Sequence, residues 1–76
     1  MSRRRPVVSG SRLIRALRQA GFVVLRQKGS HVSLEKIADG RHWRTIVPLH
    51  REIRPGTLSD ILQQSGLSAE DLRRLL

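Results

Sequence analysis

The chain of 76 residues contains no cysteine, and this absence excludes two common ways of stabilising a small domain. Neither a disulfide framework nor a cysteine-based zinc site can form, so a hydrophobic core has to carry the fold. A chain of this length buries only about 60% of the surface that its unfolded form exposes. We therefore expect one small domain in which nearly every strongly apolar stretch belongs to the core.

Long apolar runs are lacking as well. No segment approaches the roughly 18 apolar residues of a membrane-spanning helix, and the first residues, Met-Ser-Arg-Arg-Arg-Pro, are not followed by the apolar stretch of a secretory signal. These features favour a cytoplasmic protein.

Signatures of several reaction classes are missing too. The histidines, His31, His42 and His50, are not at zinc-ligand spacing, and no acidic cluster is present that would hold magnesium. A glycine-rich phosphate loop and a G-x-S-x-G nucleophile turn are also absent. We therefore expect neither a metal nor an organic cofactor.

Positive charge is what the sequence has in excess. Fifteen Lys and Arg residues against six acidic residues give a formal net charge of +9 and an isoelectric point near 11.9. The excess lies in residues 1–57, which hold thirteen basic and three acidic side chains, whereas residues 58–76 hold two and three. This asymmetry favours a polyanionic partner, and nucleic acid before membrane, because no long basic amphipathic helix is present.

Apolar periodicity and turn residues predict an α+β fold in which helices cover one face of a three-stranded antiparallel sheet. Residues 1–8 are expected to form a basic, flexible arm, and residues 9–76 a single domain. Strands are predicted around residues 22–27, 31–36 and 43–47, and Pro48 should end the third. Thr57 and Ser68 each precede an aspartate by three residues, as in a capping box. The predicted helices run from Ser9 or Ser11 to Gly21, from Thr57 to Gly66, and from Ser68 onward.

Two tight turns predict the strand register. If Lys28-Gly29 and Asp39-Gly40 are both two-residue turns, Arg26 faces His31, and Val32 faces Val47. One sheet face then carries the apolar residues Val23, Leu25, Val32, Leu34 and Val47. The opposite, open face carries Arg26, His31, Ser33, Glu35 and Arg44, with Val24 and Ile46 between them.

The open face has what RNA cleavage requires. The 2′-hydroxyl of RNA is itself the nucleophile, so a protein needs to remove one proton and stabilise a pentavalent phosphorane. Histidine is suited to the first task because imidazole titrates near neutral pH. Arginine and lysine are suited to the second. His31 is therefore the candidate base, with Arg26, Lys28 and Arg44 as candidate RNA contacts. Arg12, Arg15 and Arg18 form a basic stripe on the first helix, which is either a phosphate contact or a solvated face.

Four short segments in this order give the chain a resemblance to the HicA toxin family over roughly residues 9–76. They are Gly21-Phe22, Arg26-x-Lys28-Gly29-Ser30-His31, Val47-Pro48-x-His50, and Pro55-Gly56-Thr57-Leu58-x-x-Ile61-Leu62-x-x-Ser65-Gly66-Leu67.

The resemblance implies a compact relative of the double-stranded-RNA-binding fold that acts as a metal-independent mRNA endonuclease. It implies that His31 is the catalytic base, that Gly29 and Ser30 shape the turn presenting it, and that a HicB-like antitoxin binds and blocks the site. Many members carry a second histidine, or the only one, where this chain has Val32, which the register points into the core. His50 is either structural or a helper at the strand end.

Two other functions are also compatible with the sequence. A non-catalytic RNA-binding module would use the same basic surface without cleaving its ligand. A basic DNA-binding subunit would place the arginine stripe of the first helix on a duplex, although no helix-turn-helix pattern fits the sequence.

Overall fold

A computed structural model describes residues 6–76, and it has the α+β architecture that the sequence predicts. One antiparallel sheet, in the strand order β1-β2-β3, is covered on one face by helices. The elements in chain order are α1 (Gly10–Gln19), β1 (Val23–Lys28), β2 (His31–Ala38), β3 (Arg41–Pro48), α2 (Pro55–Ser65) and α3 (Ala69–Leu75).

Both ends of α1 follow from local chemistry. The Ser9 hydroxyl accepts a hydrogen bond from the Arg12 N–H and caps the first turn. At the other end, the N–H groups of Gly21 and Phe22 bond to the carbonyls of Arg18 and Leu17. Gly21 has a φ of 102°, which glycine adopts without a steric penalty, and the paired bonds make a Schellman motif. The chain therefore leaves α1 with Phe22 buried ahead of β1.

Only one of the two predicted capping boxes is present in the structure. Ser68 and Asp71 form one at the start of α3, as predicted, with bonds of 3.0 and 2.9 Å in the two directions. The prediction that Thr57 caps α2 is wrong. That helix begins two residues earlier at Pro55, after Arg54, and no side chain caps it. Proline lacks an N–H and has a helical φ, so it suits the first helical position.

The β2–β3 hairpin has the predicted register. Val32 pairs with Val47, Leu34 with Thr45, and Glu35 with Arg44. Asp39 and Gly40, the two loop residues, both have positive φ values, 52° and 72°. This is the backbone of a type I′ turn, whose twist matches that of the strands.

The predicted β1–β2 register is wrong. Lys28 pairs with His31 and Gln27 with Val32, so the loop is Gly29-Ser30 rather than Lys28-Gly29. Gly29 has a φ of 60° and takes the first loop position, where a type II′ turn requires a positive φ. An irregularity between Val24 and Arg26 then leaves Leu25 unpaired and brings Val24 opposite Leu34.

The core lies between the helices and β2 and β3, and β1 stays outside it. Every residue of β1 is exposed, so the prediction that Val23 and Leu25 belong to the core is wrong. Val8 is buried at 2% exposure and its carbonyl accepts the Ile53 N–H, so the predicted flexible arm is wrong at Val8. Residues 1–5 of that arm lie outside the described residues. The core residues are Val8, Leu13, Ala16, Leu17, Phe22, Val32, Leu34, Val47, Ile53, Leu58, Ile61, Leu62 and Leu72.

None of the helices within residues 6–76 has the length and apolar character needed to cross a bilayer.

Candidate functional site: a histidine-bearing basic sheet face

The sheet face turned away from the helices carries rows of cross-strand neighbours. Directly paired residues of antiparallel strands project to the same side, and Val32, Leu34 and Val47 occupy the core side. His31 and Ser33 alternate with these residues and therefore lie on the outer face. The rows are Lys28–His31–Pro48, Arg26–Ser33–Ile46 and Glu35–Arg44.

The nearest cation to His31 across the strands differs from the predicted one. The sequence register placed Arg26 opposite His31, but Lys28 takes that position and Arg26 lies opposite Ser33, the next residue on the face. Val24 pairs with the core residue Leu34 and so does not belong to the outer face as predicted. The face keeps its charge, because Lys28, Arg26 and Arg44 all remain on it.

His31 is exposed, and its imidazole makes no hydrogen bond or ion pair with any described residue. Val32 behind it is 4% exposed, as the register predicted, so a side chain at that position would point into the core. His31 is thus the histidine that this segment presents to solvent.

The other end of the face holds a hydrogen bond between a histidine and a glutamate that the sequence analysis did not predict. His42 Nε2 lies 2.6 Å from Glu35 Oε1, with the two side chains 50% and 22% exposed. The predicted β2–β3 register already implied this contact, because pairing Glu35 with Arg44 places His42 diagonally across from Glu35. The contact engages both the carboxylate of this face and the imidazole of His42.

A groove of about 840 Å³ lies between the sheet and α2. On the sheet its lining combines Leu34 and Thr45 of the helix-covered side with Arg26, Ser33, Arg44 and Ile46, and α2 forms the other wall. The helix contributes the polar residues Thr57, Asp60 and Gln64. His31 does not line the groove.

Backbone contacts hold the corner of the molecule that contains His31. The Leu49 N–H donates to the Ser30 carbonyl at 2.6 Å, which ties the segment after β3 to the turn before His31. The Gly10 N–H donates to the His50 carbonyl at 2.9 Å. A Cβ on Gly10 would overlap the carbonyl oxygen of Pro48, so α1 starts in direct contact with the end of β3.

Gly29 and Ser30 contribute to this corner through their backbones. The Ser30 carbonyl accepts the Leu49 N–H, and the Gly29 carbonyl accepts a bond of 3.0 Å from the Gln27 side chain. Both residues are exposed, and a Cβ on Gly29 would meet open space. They form the turn that leads into His31.

The predicted contacts on α1 lie on a different surface. Leu13, Ala16 and Leu17 turn into the core under the sheet, while Arg12, Arg15 and Arg18 are exposed on the far side of the helix. Arg15 and Arg18 border a depression of about 470 Å³. The structure therefore separates Arg12 and Arg15 from Arg26, Lys28 and Arg44, which the sequence had grouped as one set of contacts.

Among residues 6–76, no three His, Cys, Asp or Glu side chains come together as a group that could hold a metal ion.

The fold and this face define a class of protein: a small, basic α+β domain that presents an unpaired histidine among cations on the open side of a three-stranded sheet. The chain belongs to the HicA toxin family. The family model described as the HicA toxin of bacterial toxin–antitoxin systems matches residues 10–67, which include the whole sheet, α1 and α2. It is thus a toxin of the kind that is paired with an antitoxin. No curated protein matches the chain.

Proposed function

We propose that this toxin is a metal-independent endoribonuclease that cleaves mRNA with His31 as general base. The observation that carries the proposal is the row Lys28–His31, in which an exposed, unpaired imidazole lies beside a cation on an open sheet face. The charge of the chain, +9, supplies the attraction to a polyanion.

The reaction needs only groups that this face and the RNA provide. His31 takes the proton of a 2′-hydroxyl, and the 2′-oxygen forms a bond to the adjacent phosphorus. The bond from phosphorus to the 5′-oxygen then breaks, and the 5′-oxygen takes up a proton from an acid side chain or from water, which leaves a 2′,3′-cyclic phosphate and a 5′-hydroxyl. Lys28 and Arg26 offset the charge that develops on the phosphorane oxygens. DNA has no 2′-hydroxyl and is not a substrate for this route.

The RNA strand is held on both sides of the reacting phosphate. Arg26 and Arg44 on the outer face bind phosphates on one side, and the Gly29-Ser30 turn leaves open space for the backbone next to His31. Arg12 and Arg15 lie on the helix surface and contact only RNA that extends beyond the cleaved segment. Arginine suits these contacts because its planar guanidinium binds phosphate oxygens in pairs.

The antitoxin is a HicB-like protein that covers the same face. Apolar residues are exposed among the cations there, with Ile46 at 55% and Ile37 at 72% exposure. A partner that offers acidic and apolar side chains would bury both kinds of residue and keep RNA from His31.

Induced expression tests the proposal. The wild-type chain should arrest growth and deplete mRNA, and His31→Ala should abolish both effects. Purified wild-type protein should cleave RNA in the presence of EDTA, and the His31→Ala protein should not. Because His31 is exposed and unpaired, the variant should unfold at nearly the same temperature as wild type, which separates lost chemistry from a lost fold.

The competing account is a non-catalytic RNA-binding module. If folded wild-type protein binds RNA but leaves it uncleaved, the protein is a non-catalytic RNA-binding module. A strict requirement for magnesium would also contradict the mechanism, because the histidine route needs no metal.

A further inference from the structure

We propose that His50 is the general acid of the cleavage reaction, which protonates the departing 5′-oxygen while His31 removes the proton of the 2′-hydroxyl. This inference rests on the proposed nuclease function. It starts from a requirement that His31 does not meet, since a 5′-alkoxide leaves slowly unless a proton reaches it as its bond to phosphorus breaks.

The three histidines have different surroundings. His42 is engaged by Glu35 at 2.6 Å. The imidazoles of His31 and His50 are both exposed and make no hydrogen bond or ion pair with any described residue. A histidine with a structural role would be buried or bonded through its ring, and His50 is neither. Its side chain is therefore available to a ligand.

The backbone places His50 at the same corner as His31. Pro48 is the register partner of His31, and Cα atoms of such partners lie about 4.5–5.5 Å apart. His50 follows two residues later, so its Cα lies within about 13 Å of the His31 Cα. The bond from Leu49 to the Ser30 carbonyl draws this segment back toward the turn before His31. Two histidines whose Cα atoms lie within this distance can both reach one phosphodiester.

The position of His50 is secured without its ring. Its carbonyl accepts the Gly10 N–H at 2.9 Å, and the close approach of Gly10 to Pro48 prevents this segment from moving toward α1. A group that must deliver a proton to a defined atom benefits from a backbone held in this way.

The proton balance closes over one turnover. His31 ends the step protonated and His50 ends it neutral, while the RNA has lost a 2′-hydroxyl proton and gained a 5′-hydroxyl proton. Exchange with water restores both rings. The charged residues closest in the chain to this corner are Lys28 at the end of β1, Arg12 in the first turn of α1, and Arg51, Glu52 and Arg54 of the segment after β3.

Leaving-group substitution separates the two roles. Two RNA oligonucleotides of the same sequence are compared, one with the natural 5′-oxygen at the scissile bond and one with sulfur there. A thiolate leaves without protonation, so the sulfur substrate bypasses a general acid but still needs a base. His50→Ala should slow cleavage of the oxygen substrate by about 10²–10⁴-fold and that of the sulfur substrate by less than about tenfold. His31→Ala should slow both.

The pH profile gives a second readout. A general acid must carry its proton, so the wild-type rate on the oxygen substrate should fall as the pH rises above the optimum. His50→Ala should lack that fall. His50→Gln serves as a second variant, thermal unfolding checks that each protein is folded, and His42→Gln is the matched control, expected to retain wild-type rates on both substrates.

The outcomes are distinct. If His50→Ala cleaves the oxygen substrate at the wild-type rate, or loses the same factor on both substrates, His50 is not the general acid, although His31 keeps its role. If folded wild-type protein cleaves neither substrate, the nuclease proposal fails, and this assignment fails with it.

Discussion

The two ends of the sheet are held together in opposite ways. At the His31 end, backbone groups make the contacts: Ser30 with Leu49, and Gly10 with His50. At the other end, side chains make them, because His42 pairs with Glu35, and the Trp43 ring lies where a Cβ on Gly66 would touch it at 2.8 Å. An end stabilised by its backbone keeps its imidazoles for a ligand, whereas the other end has used its polar and aromatic side chains for the fold.

Two glycines give the largest expected effects. Gly66→Ala adds a Cβ against the Trp43 ring at a φ of 69° and should lower the free energy of unfolding by about 2–4 kcal/mol. Gly10→Ala collides with the Pro48 carbonyl and should cost about 1–3 kcal/mol. Only Gly10→Ala should also lower the cleavage rate per folded molecule, because it displaces the His50 segment. Denaturant unfolding and single-turnover kinetics measure the two quantities.

Gly56→Ala is the matched control, since a Cβ there meets nothing within 4 Å in the first turn of α2. Equal losses of cleavage in folded Gly10→Ala and Gly66→Ala would show that the two ends do not differ in function.

Removing charge from each basic surface is expected to have the next largest effect. Replacing Arg26, Lys28 and Arg44 with alanine should reduce the slope of log affinity against log salt by about 2, since each phosphate contact on a single strand contributes about 0.7. Affinity for a short RNA should fall by roughly tenfold or more at physiological salt. Fluorescence anisotropy over a salt series measures both.

The comparison variant replaces Arg12, Arg15 and Arg18, which are exposed on α1 and lie outside the sheet. It should bind the short RNA like wild type and show weaker binding only with longer RNA. A larger loss on the short RNA from this variant than from the sheet variant would reverse the assignment of the two surfaces.

Removing the Ser68 cap of α3 gives a reference value for the loss of stability caused by a substitution away from both ends of the sheet. Ser68→Ala should cost about 1 kcal/mol and leave cleavage unchanged. Hydrogen bonds from the Ser68 backbone and side chain hold the pKa of the Asp71 carboxyl below its usual value. The charged form of Asp71 therefore adds stability above about pH 4, and this contribution is lost as the pH falls through the lowered pKa. Thermal unfolding in acid should show a shallower pH dependence for Ser68→Ala.

The smallest effects should distinguish the histidines by stability alone. His42→Ala removes a partly exposed ion pair and should cost at most about 1 kcal/mol. His31→Ala and His50→Ala remove unpaired, exposed rings and should stay within about 0.5 kcal/mol of wild type. Chemical denaturation compares the three. A larger cost for His50→Ala than for His42→Ala would indicate a structural role for His50.

The β2–β3 hairpin was predictable in full, whereas β1 was not, and the reason is local. Asp39-Gly40 can form only one tight turn, and the alternation of Val32 and Leu34 then determines the register. Gly29 can take either position of a two-residue loop. The apolar run Val23-Val24-Leu25 does not decide between them, because β1 is exposed along its whole length. Because Leu25 has no partner in β2, the strand can follow the Gly29-Ser30 turn and still place Val24 opposite Leu34. The alternation of side chains along a strand does not predict such an irregularity.

The candidate site was partly predictable. Alternation alone was enough to place His31 on the outer face and Val32 in the core. The cross-strand neighbour of His31 could not be predicted in the same way, because its identity depends on the β1–β2 register. The position of His50 depends on the contact between Gly10 and the segment after β3, which joins parts of the chain forty residues apart. Roles for Arg26, Lys28, Gly29, Ser30, Arg44, Arg12 and Arg15 stay predictions until RNA binding is measured.

The most direct test of the account uses two RNA oligonucleotides that differ in one atom, incubated with purified protein in EDTA. One carries the natural 2′-hydroxyl at the cleaved nucleotide, and the other is 2′-deoxy there. The account predicts that wild type cleaves only the first, to a 2′,3′-cyclic phosphate, and that His31→Ala cleaves neither. Cleavage of the 2′-deoxy oligonucleotide at that bond, or unchanged cleavage by His31→Ala, would contradict it.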